Sequence, residues 1–521
     1  MKTFFKAPIL DRIQLILLSI LPASIVSGPL LPEIIINSIS IFFLIEKFNN
    51  KNLSIHKNYI FIGFFIFYLV QIISLVFSEI FLQSFVNVLF YFRFFLFAFA
   101  ACELLKKNVN YLNFLYLFLS LTLVIVIIDG YIQFFSGYNT FGFPKYRPDR
   151  ISGFFNEDLI LGSYLFRIIP VFLALTLYIN HKNRFMYFFN LFVFFISVIL
   201  IFLAGDRAPF FLIIIFMILV LTQINVSKKI LFFCSASIIL ILLMTLTLNP
   251  TISDRYINQT KSHIFGFEGN DLFLREYMPM FSSAFKMFKE KPILGFGPKS
   301  YRIYCNDKRF VSYFTFRKNI KDNTIIKIDL GWKNSWKNFK IKEIYVNSGD
   351  SIQIGDKLFT YYYTNNEKSK KIFYDYFSKK EGLINKIINR EIYINNTIFA
   401  KITPLESPEK VVTIPNSCNT HPHNIYLQLL AETGLLGFMI VLVTFFTILF
   451  LLIKNFFGVY FLKKTNLTNP EICLLSGFFV ILWPITTSGD FFNNWINIIS
   501  FYPLCFYLYI KHYKNDKTES I

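Results

Sequence analysis

The sequence predicts an α-helical polytopic membrane protein with about twelve transmembrane helices and a large extracytoplasmic loop holding a small all-β insert. Three observations predict it. Of 521 residues, 55% are hydrophobic and only 16% charged, where soluble domains carry about 25% charged residues. Apolar runs of the length a helix needs to cross hydrocarbon recur along the chain. Lys-rich connections between those runs alternate with connections that lack Lys and Arg, as the positive-inside rule requires. The net charge of +20 invites a nucleic-acid partner, but the spans exclude one; the excess cations lie in inward-facing loops and in a basic outer segment.

The basic N-terminus MKTFFKAPILDR is expected inside. Apolar runs follow at about 13–29, 31–46, 59–77, 85–105, 111–129, 159–180, 185–204, 209–226, 230–248, 434–453, 472–488 and 495–510. The loops 47–58, 106–110, 181–184, 226–229 and 454–471 and the tail from Lys511 are Lys-rich, while 78–84 and 489–494 contain no Lys or Arg. Both termini are therefore expected inside. The first apolar run leads directly into further spans, so no cleavable signal peptide is expected. This divides the chain into helices 1–9 (residues 1–248), an outer domain (249–424), and an interfacial helix with helices 10–12 (425–521).

The outer face breaks the charge rule at Lys145, Arg147, Arg150 and, in the tight turn GDRAP (205–209), Arg207. Either the adjacent Asp149 and Asp206 neutralise these cations locally, or the cations form a basic pocket for an anion at the membrane surface. Arg93 and Arg167 fall inside expected spans, where they either snorkel or face the same cavity.

Within 249–424, the stretch 270–304 reads as helical. Met278, Phe281, Phe285 and Phe288 recur at helical spacing, Pro292 ends the helix, and Gly295 and Gly297 mark a tight GFGP turn. Lys299 and Arg302 follow as surface charges, with phosphate contact as a secondary role. From 325 to 404 β-branched and polar residues alternate between Gly-Asp and Asn-Asn turns, which predicts strands. KEIYVNSGDSIQIGDKLFTY resembles the first half of a barrel-sandwich hybrid, the biotinyl/lipoyl-like fold, and GLINKIINREIYINNTIFAKI a looser second half. The stretch between them lacks the Met-Lys dipeptide of a carrier domain, so a binding or spacer module without a prosthetic group is expected, for an unspecified protein partner. The six cysteines show no metal-binding spacing; Cys102, Cys234, Cys473 and Cys505 read as packing residues. Cys305 and Cys418 flank the insert and are candidates for a disulfide, two free thiols being the alternative.

The stretch HPHNIYLQLLAETGLLG (421–437) joins this domain to the next span. Asn424 is a good N-cap for a helix over Ile425–Thr433, and Gly434 stops that helix before the apolar run Leu435–Ile453. His423 then sits just before a helix start at the bilayer edge, where a neutral imidazole can take a proton from an alcohol; the alternative is a loop histidine without chemistry. His421 and His423 lack carboxylate or cysteine company, so no metal is expected. Asn424 reads as a cap first and a site residue second. Glu432 would orient His423 only if the helix folded back towards it.

Four stretches give the chain a family likeness: RPDRISGFFNEDLILGSYL, LAGDRAPF, LREYMPMFSSAFKMFKEKPILGFGPKSY and HPHNIYLQLLAETGLLGF. In this order they resemble the O-antigen ligase and polymerase superfamily of bacterial envelopes, with its Arg-x-x-Gly-x-Phe segment, Ser/Thr-Arg turn, Arg-led helix before Pro-x-x-Gly-x-Gly, and His-Asn-x-x-Leu helix. The chain departs from that pattern at Asn156-Glu157-Asp158, where the family often has Asn-Pro-Asn, and at Asp206, where it has a small residue. An acid beside Arg207 is expected to weaken its grip on a diphosphate.

The resemblance implies a GT-C-like glycosyltransferase of the bacterial inner membrane, acting on the periplasmic side without cofactor or metal. Its donor would be an undecaprenyl-diphosphate-linked glycan, and its acceptor a hydroxyl of the lipid A core or another hydroxyl, with inversion at the anomeric carbon. His423 matches the family's general base; Arg207 and Arg275 match its functional arginines, with Arg147 and Arg150 assisting at the diphosphate. A polymerase or a protein O-glycosyltransferase using the same donor fits the same motifs. A non-enzymatic scaffold or export component would have no need of outer arginines and His423.

Overall fold

The computed structural model describes residues 7–49, 59–147, 149–179, 184–224, 243–247, 249–261, 277–316, 326–329, 339–346, 350–353, 355–364, 371–377, 382–387, 398–403, 412–415 and 418–519. The chain forms two compact units, one from Met1–Phe310 with Asn419–Ile521 and the other from Val311–Cys418.

The first unit is helical. Its long helices are α1 (Ile9–Val26), α2 (Leu30–Asn49), α3 (Tyr59–Val76), α4 (Phe81–Leu89), α5 (Arg93–Lys107), α6 (Tyr111–Ser136), α7 (Leu161–Ile179), α8 (Arg184–Leu203) and α9 (Arg207–Leu221). After them come the short α10 (Pro250–Ser253), then α11 (Met278–Glu290), the single turn α12 (Tyr301–Tyr304), α13 (Ile425–Phe461), α14 (Asn469–Ile481) and α15 (Asn494–Glu519). Helix α7 is the hub: it packs against α6, α8, α9, α14 and α15. A helix surrounded by others must be apolar on all sides, and Leu165, Ile168, Ile169, Val171 and Phe172 of α7 are wholly buried.

Among the described residues, six helices are long and apolar enough to cross a membrane, α4 and α5 counting together as one 27-residue span, and three shorter apolar helices accompany them. This is a polytopic membrane protein. The expected count of twelve is not reached in the described residues. The run at 230–248 lies outside them except for 243–247, α2 carries Glu33, Glu46 and Lys47, and α15 ends in a polar stretch. Helix α13 is 37 residues long with a break at Gly434 (φ 63°, ψ −163°), which joins the short amphipathic start to the apolar span. Cys102, Cys473 and Cys505 are buried free thiols, Cys305 is disulfide-bonded, and Cys234 lies outside the described residues. Of the charges inside the helices, Arg93 makes a two-pronged contact with Glu33 (3.1 and 3.0 Å), and the buried Arg167 donates through Nη1 to the Ser163 carbonyl (2.9 Å) while its Nε has no hydrogen-bond partner among the described residues.

The second unit is made of antiparallel strands. β1 (Tyr313–Phe316) pairs with β9 (Val412–Pro415), Tyr313 opposite Pro415. β2 (Ile326–Asp329), β8 (Ile398–Thr403), β7 (Gly382–Ile387) and β4 (Ser351–Ile352) form a second sheet in that order. β3 (Phe339–Ile344), β5 (Lys357–Thr364) and β6 (Lys371–Phe377) form a third. Strand structure thus extends beyond the expected 325–404, because β1 and β9 close the two ends of the segment against each other. Cys418, the last residue of the unit, is disulfide-bonded.

Candidate active site

The turn between α8 and α9 is Ala204-Gly205-Asp206, and it puts Arg207 at the start of α9. Gly205 has φ +70°, and a side chain there would meet the Asp149 carbonyl at 2.4 Å, so this turn lies directly against the loop after α6. That loop is shaped by buried polar groups. Gln133 accepts the amides of Ser152 and Gly153 (3.0 and 2.8 Å), and Asp129 accepts the Thr140 amide and hydroxyl (2.9 and 2.6 Å).

The loop supplies Arg147, which pairs with Asp149 (3.2 Å), and Arg150, which pairs with Asp206. Asp206 also accepts the amide of Gly162 (2.9 Å), at the first turn of α7, where a carboxylate is favoured by the helix dipole. The acid expected to oppose Arg207 is therefore engaged by Arg150 and by a helix start. Burial, with Arg255 and Arg147 nearby, lowers the Arg150 guanidinium to about 10, still charged at neutral pH.

A third segment, Asp254–Asn258, follows α10 as a single π-turn. Its Arg255 donates to the Gly205 carbonyl (3.1 Å) and to Gln259 (2.8 Å), and faces Asp149 at 3.7 Å. Tyr256 stacks on Phe202 (centroids 4.4 Å) and donates to the Phe202 carbonyl (2.9 Å). Arg207 donates to the Thr260 hydroxyl at 3.2 Å. Four guanidinium groups, those of Arg147, Arg150, Arg207 and Arg255, thus gather with Asp149 and Asp206 around one turn.

His423 meets the ring of Tyr277 edge-on, with centroids 5.1 Å apart. His423 has a left-handed backbone (φ 55°), a strained state for a non-glycine residue. Two contacts hold it: the Ser488 amide donates to the His423 carbonyl (2.8 Å), and Asn424 caps α13 by accepting the amides of Tyr426 and Leu427 (3.0 and 3.1 Å). The Asn424 amide also donates to the Pro484 carbonyl (2.8 Å). Asn419 Oδ1 accepts the Thr420 amide (2.7 Å), which turns its Nδ2 towards His423 Nε2 (2.9 Å). Nε2 therefore accepts, and the ring proton belongs on Nδ1. Burial and the adjacent His421 hold this imidazole down to about 4, neutral at pH 7. His421, with its ring centroid 4.2 Å away, has its Nε2 at 3.1 Å from the Ser488 carbonyl and its Nδ1 at 2.9 Å from the Thr420 hydroxyl.

Glu432 does not reach His423. Its carboxylate accepts the amides of Lys299 and Tyr301 (2.9 and 3.0 Å) and the side chain of Gln428 (3.1 Å). It secures the segment after the GFGP turn. Within that turn, the Phe296 and Gly297 amides go to the Ala431 and Glu432 carbonyls (3.0 and 2.8 Å), and Ser74, Ser78 and Ser84 donate to the carbonyls of Leu294, Phe296 and Pro298. The turn is a clasp between α3 and α13. Lys299 and Arg302, expected at the surface, are engaged too: Lys299 donates to Asn87 (2.7 Å), and Arg302 pairs with the buried Asp490 (3.0 Å). Arg275 lies outside the described residues.

The fold is thus that of a polytopic membrane protein with an arginine-rich site at one end of its helices. Residues 192–324 match the family model described as O-Antigen ligase, which supports that superfamily and, in general terms, a glycosyltransferase of ligase or polymerase type. No curated protein matches the chain. The matched stretch holds Arg207, Arg255 and the GFGP clasp, stops inside the strand-bearing unit, and lends no support to the barrel-sandwich likeness. Arg255, Tyr256 and Tyr277 escaped sequence reading. DRYINQ has neither apolar periodicity nor a charge that its surroundings make anomalous.

Proposed function

We propose that this protein transfers a glycan from undecaprenyl diphosphate to a hydroxyl of the lipid A core, at the periplasmic face of the bacterial inner membrane. The observation that carries the reading is the gathering of Arg147, Arg150, Arg207 and Arg255 at one turn, in the same helical unit as the neutral His423.

A diphosphate that leaves a sugar changes from a diester to a monoester and gains negative charge, so fixed guanidiniums stabilise the departing state more than the bound donor. The acceptor oxygen attacks the anomeric carbon from the face opposite the diphosphate. The new carbon–oxygen bond forms as the anomeric carbon–phosphate oxygen bond breaks, and the configuration inverts. The acceptor proton passes to His423 Nε2 once the hydroxyl displaces the Asn419 amide there. Undecaprenyl diphosphate is the other product. Arg275, which lies outside the described residues, matches a functional arginine of the family and is expected to contribute to donor binding.

Purified protein incubated with undecaprenyl-diphosphate glycan and lipid A core tests the reading. Glycan appears on the core with the parent, while His423→Ala and Arg207→Ala lower the rate by about 100-fold or more. Chains lengthening on the polyprenyl carrier would move the assignment to a polymerase. Variants as active as the parent would remove both residues from the mechanism.

A further inference from the structure

Arg255 bridges three pieces of the site that are distant in sequence. Its Nε donates to the Gly205 carbonyl at the turn that leads into Arg207 (3.1 Å). Its Nη1 faces Asp149, the partner of Arg147 (3.7 Å), and donates to Gln259 within its own segment (2.8 Å). The two flanks of that turn are held as well, Phe202 at the end of α8 by Tyr256 and Arg207 at the start of α9 by Thr260. A glycine turn touching a neighbouring carbonyl has little rigidity of its own, because a buried carbonyl without a donor is costly and glycine restricts its own backbone least. A π-turn spends one extra residue per turn, and here that residue number brings a guanidinium and a phenol to bear on one hairpin.

We infer that Arg255 is a positioning residue for the anion site, fixing the α8–α9 turn so that Arg207 addresses the diphosphate. This rests on the glycosyl-diphosphate reading above. Arg255 acts through the Gly205 carbonyl on the turn that leads into Arg207, so this effect is carried by Arg207 and disappears when Arg207 is absent.

The test is a double-mutant cycle on the full-length protein in lipid nanodiscs, with sugar-free undecaprenyl diphosphate as the probe. Arg255→Ala is expected to weaken binding about tenfold in the parent and by less than about twofold in the Arg207→Ala background. Arg255→Lys, which keeps one donor for the Gly205 carbonyl, recovers most of the affinity. Hydrogen exchange at residues 204–207 speeds up in Arg255→Ala and returns towards the parent rate in Arg255→Lys. Additive losses in the cycle would overturn the proposal, because they describe an independent ligand. Parent-like binding by Arg255→Ala in a protein that transfers glycan would overturn it while leaving the transferase reading intact. Coupled losses in a protein that transfers no glycan would support the positioning role and sink the transferase reading.

Discussion

His423 is built to stay neutral. Burial and a second imidazole both oppose its charging, and an amide donor occupies the lone pair that a substrate hydroxyl would use. In the proposed mechanism the neutral ring is the working form of the base, so activity would hold above the folded pKa and fall as pH drops through it. The rate of glycan transfer should therefore persist through mild acid and fail only near about pH 4, not near the value of about 6.5 usual for histidine. A pH–rate profile with an acid limb at the usual value would contradict the environment described for His423. At Glu432 the carboxylate takes the amides of Lys299 and Tyr301 and the Gln428 side chain. Glu432→Gln presents a donor where one of those donors must be received, and should cost about 1–3 kcal/mol of stability, read as a lower melting temperature of the full chain.

Among the elements, the GFGP clasp crosses the break in α13 at close quarters. A side chain on Gly434 would meet the Ile293 carbonyl at 2.3 Å, and one on Gly295 would meet the Glu432 backbone at 2.5 Å; both glycines have positive φ. Gly434→Ala must move a backbone or change its φ, at a cost of about 1–3 kcal/mol or more, and thermal melting of the purified variant checks it. Asn424→Ala, which removes two capping contacts, should cost about 1 kcal/mol and lower transfer further by loosening the residue before it. Much of this level was legible in the chain. The apolar runs announced the helices, Asn424 announced the start of α13, and Gly434 announced its break. Less legible were partnerships that depend on distance. Asp206 follows Gly205 and precedes Arg207, so adjacency suggested the wrong neighbour; its guanidinium partner is Arg150, 56 positions away. Arg255 lay in a short polar stretch where periodicity says nothing. The role of Glu432 depended on a clasp whose hydrogen bonds run through backbone groups that every sequence has.

The whole molecule combines a helical unit with a strand-bearing unit whose first and last strands, β1 and β9, pair side by side. Paired ends lie about 5 Å apart, so a short linker spans them. Replacing 313–415 with a few Gly and Ser residues should therefore leave the melting temperature of the helical unit within a degree or two of the parent, about the scale of a change well under 1 kcal/mol. A large drop would mean that the helices rely on the strands. The spread of the site along the chain also sets an order in time. Ribosomes deliver the N-terminal part first. Arg147, Arg150 and Arg207 thus enter the membrane early, Arg255 soon after, and His423 only once the strand-bearing unit has been made; the amide of Ser488 that fixes it arrives later still. On the proposed reading, a chain interrupted during synthesis would own the arginine cluster without the base. Under that proposal the half-made protein is chemically silent.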